Sequence, residues 1–181
     1  MKSLYVVFFF LFTPFSYADA GNRLFHLYQE GAYQQSCEYG IKSLQYNVRN
    51  ENFVSLVGFS CLKADRFDLL SEVLPFLNNS SEARANNAYF SLLLLQKNLL
   101  MQALYDHKPI SFLKLPKSSH LLSKVFNLYI ESPAINPMTK FYQDPDDPHS
   151  SFKLYPIETN NRKLLAIDEY YDKILTAHHV F

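Results

Sequence analysis

The sequence predicts a mostly α-helical protein, a short stack of antiparallel helix pairs that ends in an irregular, proline-rich tail. Three observations carry that prediction. Glycine supplies only 4 of 181 residues while Tyr and Phe supply 13 and 16, a balance that favours packed helices over a turn-rich β-sandwich. Apolar side chains between Asn22 and Leu77 recur at spacings of three and four, which is the period of a helix face. Five prolines, at 133, 137, 145, 148 and 156, crowd one late segment and exclude continuous helix there.

The chain opens on a different element. Lys2 precedes an unbroken apolar run from Leu4 to Phe12, and small residues follow at Ser16-Tyr17-Ala18 and Ala18-Asp19-Ala20. This is the pattern of a cleaved secretory signal. The run is well short of the roughly 20 residues of a membrane-spanning helix; an anchor left in place is the alternative. The expected division is a signal peptide over 1–20, a helical domain over 21–132 and a tail over 133–181. The mature protein is then expected in the periplasm with no membrane span. Lys plus Arg and Asp plus Glu each number 17, and losing Lys2 leaves 16 − 17 = −1. Such a chain has no electrostatic reason to bind nucleic acid or an anionic bilayer.

Leu24, Leu27 and Tyr28 share one face, Gly31-Ala32 interrupts, and Tyr33, Cys37, Ile41 and Leu44 make a second face. The arrangement then repeats. Val54, Val57, Gly58 and Cys61 form one face, Ala64-Asp65-Arg66 the turn, and Phe67, Leu70, Val73, Leu74 and Leu77 the next. Aligning Tyr33 with Phe67 gives a period of 67 − 33 = 34. On these residues the segment from about 22 to 77 resembles the tetratricopeptide repeat, a helix-turn-helix unit of that length. In that likeness Gly58 allows close helix approach, Tyr33 and Phe67 wedge into the turns, and Leu70 and Leu77 bury against the preceding pair. Ser36 and Ser43 depart from the family's preference for Ala, and no proline closes the first unit.

Cys37 and Cys61 are the only cysteines. An even count in an exported chain makes a disulfide the first expectation, with two buried free thiols as the alternative. The resemblance adds a reason to pair them, because it sets their helices side by side. Since repeat units gain stability from their interfaces, two units alone are marginal and a staple at the junction suits them.

Asn79-Ser80-Ser81-Glu82 signals a helix start. The long helix after it is expected to bury Ala85, Ala88, Tyr89, Leu92, Leu95, Gln96, Leu99 and Ala103, with Leu93, Leu94 and Leu100 widening the stripe. Ser118 is placed as the cap of another helix carrying Leu121, Leu122, Val125, Phe126 and Tyr129. In the tail, 139–142 and 152–155 alternate like short strands about Asp144-Pro145-Asp146-Asp147-Pro148, a possible hairpin. From Arg162 a terminal helix is expected, with Leu164, Ile167, Tyr171 and Ile174 on one side.

The chemistry-bearing residues read as structural. His178-His179 are adjacent and cannot face one ligand from a helix, so a frayed polar end is expected. Asp144, Asp146 and Asp147 lack the glycine and distant glutamate of a calcium loop. Asp168 and Glu169 would diverge on a helix, and Phe181 has no assigned role. No nucleophile elbow, phosphate loop or His-Glu-x-x-His motif occurs. No catalytic residue, metal site or cofactor is therefore assigned. The expected function is a non-enzymatic interaction or scaffold module of a cell-envelope machine, such as a flagellar motor, secretion or wall-synthesis assembly. The tetratricopeptide resemblance implies a concave helical surface gripping a peptide or helix of another envelope protein, with Tyr28, Tyr33 and Tyr39 as candidate contacts. The competing expectation is an envelope enzyme or enzyme accessory with a site between the 133–156 tail and the helical body.

Overall fold

The computed structural model describes residues 17–132 and 139–181, with side chains from residue 20 onward. Most of the expected signal peptide and residues 133–138 lie outside the described residues. The chain begins with Tyr17–Gln29 (α1), Tyr33–Asn47 (α2) and Glu51–Lys63 (α3). Gly31, at φ 74°, turns α1 into α2, and Ala32 returns its N–H to the Leu27 carbonyl. Asn50 starts α3 by accepting the Phe53 N–H. Asp65, at φ 56°, ends it, as Arg66 N–H reaches back to the Cys61 carbonyl. Asp tolerates that left-handed backbone better than most residues do.

Cys37 and Cys61 are joined in a disulfide between α2 and α3. Beside it the buried hydroxyls of Ser36 and Ser60 lie 2.8 Å apart, and Ser36 also donates to the Leu24 carbonyl. A pair of serines fits this seam because each buried hydroxyl finds a partner.

From Phe67 to Phe76 the chain makes only a one-turn helix, Leu70–Val73 (α4), flanked by 3-10 turns. Ser81–Tyr105 (α5) follows, 25 residues long, capped by the Ser80 hydroxyl on Ala83 N–H and not by Asn79. The Glu51 carboxylate accepts the N–H groups of Asn78, Asn79 and Ser80 at 2.7–3.0 Å. Those bonds hold its pKa down at about 2. The expected face of α5 is partly right: Leu93, Gln96, Leu100 and Ala103 are buried as expected, but Ala85, Ala88 and Leu95 are exposed, and Ala83, Phe90 and Leu104 are buried in addition. Leu121–Glu131 (α6) is capped by His120, whose Nδ1 accepts the Leu122 N–H, while Ser118 sits two residues earlier and accepts the His120 N–H.

The tail overturns the expected fold class. Instead of a loose hairpin and a terminal helix, it is a four-stranded antiparallel meander in the order β1-β2-β3-β4. The strands are Lys140–Gln143 (β1), Ser150–Thr159 (β2), Arg162–Tyr171 (β3) and Ile174–Val180 (β4). The protein is therefore a mixed helical and sheet fold, not a mostly α stack. Asn160-Asn161 and Asp172-Lys173 all have φ between 48° and 69°, the two-residue turns that match strand twist. Pro156 sits in β2 without breaking a ladder. Its partner Leu165 exchanges both backbone bonds with Phe181, so the proline nitrogen points toward β1, which has already ended opposite Leu154.

One sheet face packs on the helices through Tyr142, Phe152, Leu154, Leu165, Ile167 and Phe181. Phe181 is buried edge-on against Phe67 at 4.8 Å. At the end of α5, the Tyr105 hydroxyl lies 2.6 Å and 2.9 Å from the carbonyls of Ile157 and Leu164. Lys124 of α6 reaches Asp144 at 2.7 Å, so that aspartate is buried and paired, not solvated.

Candidate functional site

Because successive side chains on a strand point to opposite faces, His178 and His179 are split between the two sides of β4. Each meets a carboxylate from β3 and a second polar group from elsewhere. This replaces the expected frayed end, and Asp168 and Glu169 are likewise divided by the pleat.

On the outer face Asp168 is only 6% exposed. It accepts from His178 Nδ1 at 2.6 Å, Tyr155 hydroxyl at 3.1 Å and Tyr170 hydroxyl at 3.4 Å. Three donors are what a largely desolvated carboxylate needs. Burial, then the bond to Asp168, pushes the Tyr155 hydroxyl up to about 12. The bond to Asp168 fixes the Nδ1 proton of His178 and leaves its other ring nitrogen for solvent. Lys153 stands opposite Asp168 in the register and lies over the rings of Tyr155 and Phe141.

On the inner face His179 donates from Nδ1 to Asp65 at 2.8 Å and from Nε2 to Glu169 at 3.0 Å. Carboxylates only accept, so an imidazole that serves both carries two protons. The Asp65 bond, and then Glu169, raise its pKa. His120 nearby is driven down to about 4 by burial and stays neutral. A cavity of about 280 Å³ opens beside them, walled by Phe59, Leu62, Tyr89 and Leu121, with His179 and Lys63 also lining it.

The outer edge of β4 is the third feature. Leu165 and Phe181 exchange both backbone bonds, and stepping along the register makes Ala166 with Val180, and Asp168 with His178, the non-bonded pairs. The N–H and C=O groups of His178 and Val180 therefore face away from β3, and no strand lies there among the described residues. Thr176 is the extra residue of a bulge between Glu169 and Tyr170. Tyr171, Ile174 and Leu175, around the hairpin tip, are 50%, 70% and 54% exposed.

The tyrosines singled out from sequence are engaged within the helical body. Tyr28 and Tyr33 come together edge to face at 5.3 Å across the Gly31 turn. Tyr39 lies under the Arg23 guanidinium at 4.7 Å and packs on the core. All three are half-buried. Asp65, Asp168, Glu169, His178 and His179, which the sequence leaves as separate structural residues, meet only once the β3–β4 hairpin is known. Among the described residues no cluster of three or more His, Cys, Asp or Glu is arranged to hold a metal ion, and no helix is long and apolar enough to cross a membrane. Comparison of the chain with protein-family models, curated proteins and solved structures finds no match.

Proposed function

We propose that this chain is a non-enzymatic interaction module of the cell envelope, which accepts an extended segment of another envelope protein as an added strand along β4. The open edge of β4 carries the proposal. Proteins blunt sheet edges with short strands, charges or proline, and β1 follows that rule with four residues that begin at Lys140. β4 carries one such device, the bulge at Thr176, but beyond it the edge is open: the strand runs seven residues without proline, Asp, Glu, Lys or Arg, and exposed apolar side chains cluster around its starting turn. Backbone bonds to such an edge supply affinity and alternate side chains supply selectivity. An export-type leader and the Cys37–Cys61 disulfide suit an oxidising compartment.

A photo-crosslinking residue placed at Thr176, on the edge, is expected to capture one discrete partner in the living cell. The same residue at Glu158, beside the β2–β3 turn, is expected to capture none. Equal capture from both positions, or none from 176, overturns the proposal.

A further inference from the structure

β4 is held to the rest of the chain at few points. Toward the sheet it has the β3 ladder, which is interrupted at Thr176 by the bulge beside Glu169. Toward the helices it has the Phe181 ring on Phe67 and, among the described residues, one hydrogen-bonded contact, from His179 to Asp65 in the turn that ends α3. The same imidazole also holds Glu169 on β3. One side chain therefore pins the open edge both to the helical body and to the neighbouring strand.

Each of those bonds needs its own proton, because each acceptor is a carboxylate. With two protons on His179, its charge and that of Lys63, which lines the same cavity, cancel those of Asp65 and Glu169. The other titratable neighbours stay neutral near pH 7: burial holds His120 at about 4 and pushes the Tyr89 hydroxyl up. Loss of one imidazole proton leaves this cluster a net anion. One carboxylate then faces a ring nitrogen that only accepts, at a separation of 2.8 or 3.0 Å, and that contact must open. Resting on the edge-binding reading, we infer that Asp65, His179 and Glu169 form a proton-operated clasp that fixes β4 for an incoming segment while the imidazole carries two protons and frees it when one is lost. A strand already fixed pays less ordering cost on binding, so the segment binds more tightly to the closed form. The direction follows from the raised pKa of His179: closure is complete below 6.5 and is lost as pH climbs through the raised value.

Amide hydrogen exchange on the full chain reads the clasp. The N–H groups of His179 and Phe181 face β3, and their protection factors report the opening of β4 with the intrinsic effect of pH divided out. Between pH 6 and pH 9 protection at both is expected to fall about fivefold, the scale of a partly exposed ion pair, while the β2–β3 ladder keeps its protection. Glu169→Gln and Asp65→Asn each leave one carboxylate, which a neutral imidazole satisfies, so each is expected to abolish the fall. No fall in the parent, an equal fall in the variants, or an equal fall throughout the sheet overturns the clasp and leaves the edge reading intact. Photo-crosslinking from position 176 in an envelope extract is expected to capture about fivefold more partner at pH 6 than at pH 9, and equal amounts in Glu169→Gln. Equal capture by the parent at both pH values, with the fall in protection present, overturns control of the edge by the clasp. Capture at neither pH overturns the edge reading, and the exchange measurement still decides the clasp.

Discussion

Gly58 offers the sharpest test of how the helical body is packed, because two opposed effects act at one atom. A Cβ added there would lie 2.4 Å from Phe90 Cε2 and 2.7 Å from Cζ, whereas carbon atoms in contact prefer about 3.5–4.0 Å. The ring must therefore retreat by about 1 Å, and Phe90 is fully buried against Phe59. Overpacking of this kind costs up to about 3 kcal/mol. Replacing glycine inside a helix returns about 1 kcal/mol of propensity. The net expectation for Gly58→Ala is a loss of about 2 kcal/mol, read as a lower urea midpoint at unchanged slope with the disulfide intact. Phe90→Leu relieves the contact, so the double variant is expected to lose at least about 1 kcal/mol less than the sum of the single changes. Stability equal to or above that of the parent, or strict additivity, refutes the packing argument.

Three further outcomes are expected. Removing the staple with Cys37→Ser and Cys61→Ser frees a loop closed across 24 positions, and the chain-entropy account puts the loss at about 3 kcal/mol in urea unfolding. Glu51, held at about 2 against an ordinary 4.5, contributes stability that is present above 4.5 and lost as pH falls toward 2. Glu51→Gln is therefore expected to flatten the acid limb of a stability-against-pH profile. His179 has the opposite sign: its pKa is raised above 6.5, so its contribution is complete below 6.5 and fades as pH climbs through the raised value. Asp65→Asn is expected to lower the His179 midpoint in an NMR titration and to reduce the fall in stability on the alkaline side.

The helical body was legible where period and punctuation agreed. Gly31-Ala32, Ala64-Asp65-Arg66 and the polar run before Ser81 mark real helix ends, and Gly58 marks a real close approach, although to the Phe90 ring. The face of α5 was legible only in its second half, at Leu93, Gln96, Leu100 and Ala103; a helix apolar on most sides gives its period a weak phase, and Phe90 and Ala83 outrank Leu95 only through their neighbours. The tail misled for a related reason. Leu164, Ile167, Tyr171 and Ile174 have helical spacing by coincidence, while Asn160-Asn161 and Asp172-Lys173 were turn signals that would have divided the stretch into strands. Once divided, it brings Asp168 beside His178 and Glu169 near His179, pairs ten positions apart that no local pattern announces.

Adjacent histidines make β4 ambiguous about its own alignment. Sliding the strand by one residue would turn each imidazole to the opposite side, where another carboxylate already waits. Ionic matching alone therefore discriminates weakly between the two alignments. The tie is broken by Phe181, whose ring fits against Phe67 in only one of them. A bulky hydrocarbon group at the strand's end, and not the charged residues along it, thus sets which histidine meets which acid.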